Sequence, residues 1–336
     1  MYKKAMAMFM LCETSVHAGS GSELGIVDLP IQRERHTDYP VFHSSSIKGA
    51  LRFNVDRATA FWEAFKKQLK NDENILLSKV LDSSSFVNIF EAVFGEKQVS
   101  NEKESFAAAI AITDGRILLF PVKSLKGTFA YITCSFVINR LKRDLTKAGI
   151  DLNNIPEKLD VKEGNAFVCK GSSVVVNNAL TLEEFTFHAE EKEEVTLLAE
   201  ELAMSLLPND SVYDYLKNKI KNSLVVLSDD DFKEFVSQST EVVARIKIDE
   251  KTGTVSSEGG NLWYEENLPA ETILYSLIFA QDLNEGGKKK ANLENNSVSA
   301  ETVLTFIRQV IPERIQLGGN ETIGRGILAL KFYNGN

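Results

Sequence analysis

The chain has 336 residues, 43% of them hydrophobic and 25% charged, a balance that supports a sizeable core in one large domain or two. Thirty-eight Lys and Arg against 47 Asp and Glu give a net charge of −9, which excludes a basic footprint over the whole chain; nucleic-acid binding would need a local basic groove. Cys12, Cys134 and Cys169 form no CxxC pair and no zinc spacing, and their odd number argues against a disulfide framework and for a reducing cytoplasm.

The N-terminus, MYKKAMAMFMLCETS, imitates a signal peptide. Its apolar run is only Ala5 to Cys12, ends at Glu13 and has no small-residue cleavage pattern. Residues 4–14 therefore predict a buried first strand, and no segment approaches the roughly 18 apolar residues of a membrane span. A long connector follows, HAGSGSELGIVDLPIQRERHTDYP, from His17 to Pro40. Connectors of that length are usually functional loops or disordered ones. Ser44, Ser45 and Ser46 offer cap hydroxyls for a helix over about 45–68, where Ile47, Leu51, Val55, Phe61 and Phe65 keep helical spacing. Residues 70–104 are polar and mixed, with a short helix expected near 85–95.

AAAIAIT, Asp114-Gly115 and RILLFPV predict two strands around a type I′ turn. Ser124 then opens a second predicted helix to about Leu145, giving β-α-β-β-α over the first 145 residues. ILALKFY near the C-terminus, after a helix over 299–311, would complete a ferredoxin-like unit. The unit would be interrupted by an insertion of about 150 residues, 146–297. Within it, 193–237 reads as mainly helical and acidic, 241–266 as a β-hairpin carrying Arg245, Lys247 and Lys251, and ILYSLIFA as a strand. GGKKK at 286–290 reads as an exposed loop. The acidic blocks around Glu183 and Glu190 read as solvated faces.

Two short segments repeat. Ser46-Ile47-Lys48-Gly49 and Ser124-Leu125-Lys126-Gly127 each place serine, lysine and free N–H groups at a predicted helix start, an arrangement that favours phosphate. The glycine-rich run 19–25 has no lysine where a phosphate-binding P-loop needs one. Its GxGxxxG spacing also does not feed a helix, so a cofactor loop is set aside. His17, Asp28, Glu34, His36 and His43 cluster in sequence without a spacing that defines a metal site. Asp28 lies between Ile26-Val27 and Leu29-Pro30, a frame that suits either a fixed carboxylate or an Asx turn before proline. LGGNETIGRG, with Gly318, Gly319 and Arg325, is either a simple turn or a backbone-lined loop beside a phosphate.

HAGSGSELGIVDLPIQRERHTDYP…SSSIKGALR, TDGRILLFPVKSLKGTFAYIT, LWYEENLPAET and LGGNETIGRG together resemble the RAMP superfamily of CRISPR proteins. More narrowly they resemble the backbone subunits of type III-B (Cmr) RNA-targeting complexes. The match covers both ends and several internal blocks in order, with little of it in 146–240. The resemblance implies an α+β, RRM-related palm over about 1–15, 44–68, 105–145 and 299–336, a catalytic loop at 16–43 and a thumb hairpin in the insertion. It implies cytoplasmic copies stacked with other Cmr subunits along a CRISPR guide RNA, each cutting the complementary target RNA at regular intervals. By the same resemblance Asp28 is the catalytic position and His17 lies near the scissile phosphate; metal-dependent cleavage is expected, with Asp28 acting as general base or holding a divalent cation (Mg²⁺ or Mn²⁺). Ser46, Lys48 and Arg52, Ser124 and Lys126, and Gly318, Gly319 and Arg325 are the expected RNA contacts, with Arg245 and Lys247 on the thumb. The aromatic pattern by which RRM sheets stack bases is not evident, so no base stacking on the sheet is expected. An RNA-coating scaffold and a guide-processing endonuclease are the rival functions.

Overall fold

The computed structural model describes residues 2–22, 25, 27–60, 62–69, 74–97, 106–248, 253–254 and 262–335. In chain order the elements are β1 (Lys4–Cys12), β2 (Val41–Phe42), α1 (Ser44–Thr59), α2 (Trp62–Gln68), α3 (Ile75–Ser78), α4 (Ser83–Phe94), β3 (Ile110–Ile112), β4 (Gly115–Lys123), β5 (Phe129–Cys134) and α5 (Ser135–Ala148). There follow β6 (Asn165–Val168), β7 (Val175–Val176), β8 (Ala179–Leu182), β9 (Phe185–Glu191), α6 (Glu193–Ser205), α7 (Asp214–Ser223), β10 (Leu224–Leu227) and α8 (Asp229–Gln238). The chain ends with β11 (Glu241–Ile246), β12 (Leu262–Asn267), β13 (Ile273–Ala280), α9 (Glu285–Lys290), α10 (Ala300–Val310), β14 (Arg314–Gln316) and β15 (Ile327–Tyr333).

β1 is the spine of the main sheet. Met6 to Cys12 are all buried, without the alternation of a strand that wets one face. It pairs antiparallel with β13 on one side and β15 on the other, and β13 pairs antiparallel with β4. The order β15-β1-β13-β4, with α1 and α10 as the two crossovers, is a β-α-β-β-α-β arrangement. α10 packs on β1 and β13, while α5 packs on β1, β4 and β5. The sheet continues past β4 through β5, β10, β6, β9, β8 and β7, whereas β11 and β12 form a separate two-stranded hairpin.

Several expectations are corrected. β3 and β4 do not form a hairpin. Both pair with β13, end to end, with Ile112 opposite Ile278 and Arg116 opposite Tyr275. Thr113 carries the ladder across the gap: its N–H donates to the Leu277 carbonyl at 2.9 Å and its Oγ1 accepts the Leu277 N–H at 2.9 Å. Asp114 and Gly115 consequently lack the positive φ of a type I′ turn. The real hairpin is β4–β5, and Ser124 to Thr128 is its turn, closed by Ser124 N–H to the Thr128 carbonyl at 3.0 Å. The helix expected from Ser124 starts at Ser135 instead, and the crossover helix paired with α1 is α10. The excursion between the second and third strands of the unit therefore spans 124–272 rather than 146–297. The helix expected over 45–68 is two helices, α1 and α2. GGKKK is not a loop but lies in α9, packed on α4, with Lys290 paired to Glu91 and Glu96.

Candidate active site

The connector 13–43 is folded against β12. Val16 and Leu268 exchange backbone hydrogen bonds at 2.9 Å in both directions. Leu29 adds to the same strand in parallel: its N–H donates to the Tyr264 carbonyl at 3.1 Å and its carbonyl accepts the Glu266 N–H at 3.0 Å. Two backbone groups on that edge remain, and both are taken by side chains. Asp28 Oδ2 accepts the Tyr264 N–H at 2.7 Å, and His17 Nδ1 lies 2.7 Å from the Glu266 carbonyl. Every backbone group that β12 turns to this edge at Tyr264, Glu266 and Leu268 is thus paired with the connector, as an interior strand demands. Asp28 and His17 are anchored two residues apart on one strand, roughly 7 Å along it. Their partner being a strand edge, Asp28 is a fixed carboxylate and not a local Asx turn. Because a carbonyl only accepts, His17 Nδ1 carries the proton of that bond, and Nε2 is the nitrogen left for chemistry.

The C-terminal glycine loop closes over His17. Gly319 N–H donates to the His17 carbonyl at 2.9 Å, and Gly326 N–H to the Ser15 carbonyl at 2.9 Å. Gly318 has φ +90°, and a Cβ built there would lie 2.4 Å from the His17 carbonyl oxygen. Gly19 is as tight on the other side, since its Cβ would come within 2.8 Å of His17 Nε2. Only glycine fits at position 318, where the obstacle is backbone, whereas a Cβ at position 19 would have to displace the His17 ring. Arg325 Nη1 pairs with Glu241 at 3.1 Å at the base of the hairpin, where Ser15 Oγ also donates at 2.7 Å.

Sequence reasoning missed two carboxylates, Glu265 and Glu266, both on β12 and both buried. Burial alone would raise the pKa of Glu265, but hydrogen bonds from Asn320 and Arg245, with the charges of Arg245 and His17, hold it below the usual carboxylate range. Arg245 is therefore committed to Glu265, at 3.3 Å. Lys247 is exposed, and Lys251 lies outside the described residues. On the hairpin face shared by Val242, Ile246, Leu262 and Tyr264 the apolar side chains are exposed, with Ile248 beyond them.

The start of α1 adjoins the connector. Gln32 holds it: Nε2 donates to Ser46 Oγ and to the Gly19 carbonyl, each at 3.2 Å, while Oε1 accepts the His43 N–H at 2.8 Å. Asp114, rather than a serine hydroxyl, accepts the Ser44 N–H at 2.7 Å. That leaves the Ser45 and Ser46 N–H groups at the open end. Lys48 is half-buried and has no carboxylate partner among the described residues; burial and the neighbouring Arg52 hold its pKa below the usual lysine value. Arg52 itself is turned away from this end. It donates to the carbonyls of Phe94 and Gly95 at 3.2 and 2.8 Å and sits over the rings of Phe90 and Phe94, which makes it a C-terminal cap for α4.

Ser124 and Lys126 are elsewhere. The nine residues of β4 separate them from the α1 end of the strand by roughly 30 Å. Ser124 is buried against Thr181, and Lys126 Nζ donates to the Val175 carbonyl at 2.9 Å. The two SxKG segments do not form equivalent sites, because one starts a helix and the other is a hairpin turn.

No helix among the described residues is long and apolar enough to cross a membrane. No group of three or more His, Cys, Asp or Glu residues that could hold a metal ion occurs among them either. Within the site, the carboxylates of Glu265 and Glu266 are each paired with an arginine. Asp28 Oδ1, by contrast, carries no hydrogen bond among the described residues.

An α+β fold with a glycine-clamped histidine and a strand-anchored aspartate defines the class: the chain belongs to the RAMP superfamily, whose family profile matches residues 10–329. It is 35% identical over 327 residues to the CRISPR system Cmr endoribonuclease Cmr4 of Pyrococcus furiosus, covering 97% of this chain and 94% of that one. It is 27% identical over 343 residues to the CRISPR system CMR subunit Cmr4 of Saccharolobus solfataricus, covering 99% and 98%. The crystal structure of oligomeric Cmr4 from Pyrococcus furiosus superposes with a TM-score of 0.63 at 26% identity over 98% of each chain. A chain of the type III-B Cmr-beta complex bound to cognate target RNA superposes at 0.65 with 22% identity over 98% of each chain, a similarity of fold.

Proposed function

We propose that this chain is an RNA-guided endoribonuclease subunit, a backbone protein of a type III-B Cmr complex that holds guide RNA and cuts complementary target RNA. The observation that carries the reading is the pairing of Asp28 and His17 on one edge of β12, beside a hairpin with an exposed apolar face. Full-length similarity to a protein named as a Cmr endoribonuclease, and to an oligomeric one, supports the activity and the stacking of copies.

The chemistry follows from the geometry. The hairpin would displace a target nucleotide, so that its ribose 2′-OH lines up with the adjacent phosphate; alignment of this kind is a large part of the barrier. Asp28 would take or orient the 2′-OH proton through Oδ1, its other oxygen being held by Tyr264. As the imidazolium, protonated on both ring nitrogens, His17 would donate from Nε2 to the phosphate or protonate the leaving 5′-oxygen, while the Glu266 carbonyl holds the ring through the Nδ1 N–H. Asp28 is also the residue that would hold a divalent cation, Mg²⁺ or Mn²⁺, together with phosphate oxygens. Such a cation supplies charge neutralisation at the phosphate. Lys48 and the Ser45 and Ser46 N–H groups would grip a guide phosphate, fixing position without reading sequence. The reading is tested by reconstituting the complex with Asp28→Ala. Cleavage should vanish while guide retention and target binding persist. Retained cleavage refutes it, and loss of guide maturation alone points to a processing enzyme.

A further inference from the structure

The carboxylate of Glu266 is buried, and both its oxygens are engaged. Oε2 accepts the Ile31 N–H at 3.0 Å. Oε1 accepts Arg33 Nη2 at 2.5 Å and Thr240 Oγ1 at 2.7 Å. The Glu266 backbone adds the bonds to Leu29 and His17 described above. We propose that Glu266 is a positioning residue that sets the register of the Asp28 segment on β12; this rests on the reading of Asp28 as the catalytic carboxylate.

The need for such a residue is visible in the backbone. Among the described residues, Leu29 supplies the only backbone pair between segment 28–31 and β12. Pro30 turns away from β12, its carbonyl accepting the Ser20 N–H at 3.0 Å. The next donor is Ile31 N–H, and it meets the Glu266 carboxylate instead of a carbonyl. A one-residue slip would turn every side chain of the segment over and take Asp28 off the Tyr264 N–H. Glu266 prevents it by gripping the segment at Ile31 and again at Arg33, whose guanidinium also donates to the Asp38 and Val236 carbonyls. Glu34, the next residue, is bound through both carboxylate oxygens by the buried Arg140 of α5, at 2.7 and 2.8 Å. The loop is thus strapped to the hairpin by residues 31 and 33 and to α5 by residue 34. Movement of the hairpin would carry Asp28 with it.

The test is Glu266→Gln in the assembled, guide-loaded complex, beside Arg33→Met and Asp28→Ala. Glutamine keeps the volume and one acceptor for Ile31 but loses the charge that holds Arg33. Single-turnover cleavage should fall on the order of 10- to 100-fold, the cost of a misplacement near 1 Å, with target affinity within about twofold of wild type. Arg33→Met should give the same fall, and the double variant no more, because both break one strap. In the free chain, amide hydrogen exchange should rise at residues 28–33 and not elsewhere. Wild-type cleavage by Glu266→Gln with unchanged exchange overturns the proposal, and so does exchange raised throughout the chain, which marks general destabilisation. Should Asp28→Ala cleave normally, the functional reading fails, and the exchange result alone decides whether Glu266 holds the loop.

Discussion

Replacing Asp28 with asparagine and with alanine separates what its carboxylate does from where it sits. The asparagine side chain would still present an oxygen to the Tyr264 N–H and so keep the anchor seen at 2.7 Å; alanine would lose it. The anchor is worth little to overall stability. A charge-assisted hydrogen bond contributes about 1.5–3 kcal/mol when buried, but Tyr264 is 40% exposed and water can replace the lost acceptor. The alanine variant should therefore remain folded, with a stability loss of about 1 kcal/mol or less. Catalysis should respond very differently. Loss of a positioned general base costs about 10²- to 10⁴-fold, or roughly 3–5 kcal/mol of transition-state stabilisation. If the charge matters, Asp28→Asn and Asp28→Ala fall together by that amount. The assay is single-turnover cleavage of complementary RNA at saturating complex, with guide and target binding measured in parallel. Cleavage by Asp28→Asn within about threefold of wild type would refute a chemical role for the carboxylate, since even the weakest general base supplies far more. Products ending in 5′-phosphate, rather than 5′-OH with a 2′,3′-cyclic phosphate, would refute attack by the 2′-OH.

Gly318→Ala forces a Cβ against the His17 carbonyl at a φ that costs about 1–2 kcal/mol for an L-residue; calorimetry should show lower stability and cleavage should fall as His17 moves, whereas wild-type cleavage would remove the clamp from the account. Lys48→Ala should weaken guide binding and reduce the slope of log K against log salt by about 0.7–0.9, the share of one phosphate contact. Arg52→Met should leave that slope unchanged and instead destabilise the fold by about 1–3 kcal/mol, since its hydrogen bonds cap α4. The same titration on Ser124→Ala and Lys126→Ala should match wild type, and a shallower slope would return that turn to the RNA surface. Chelation of divalent cations should abolish cleavage with target binding intact and Mn²⁺ should restore it; cleavage that persists in chelator would leave Asp28 acting without a metal.

What the sequence made legible was local, and what it hid was paired at a distance. The apolar run of β1 and the helical spacing of α10 could be read because each is a property of a short window. Asp114-Gly115 misled because turn propensity is a weak preference. β13, some 160 residues later, offers one long edge to both β3 and β4, and backbone pairing along it outweighs the turn. The two SxKG segments misled for a related reason: four residues cannot distinguish a helix start from a hairpin turn. The real N-terminus of α5 gave no capping hydroxyl to find, because the Phe136 N–H is satisfied by Asp229, 93 residues away.

The site obeys the same logic. Asp28 was balanced between two local readings because its partner, the Tyr264 N–H, is 236 residues distant. Glu265 and Glu266 went unnoticed, although the signal was present. Successive residues of a strand point to opposite faces, so adjacent glutamates in LWYEE place one carboxylate on each side of a hairpin that packs at its base. Both are buried there, and buried carboxylates need cationic partners. The cross-strand diagonal supplies Arg245 for Glu265, and the connector supplies Arg33 for Glu266. A paired-charge rule applied to β12 would have pointed back to the connector. It would also have shown that the segment carrying Asp28 is the strand that completes β12's open edge.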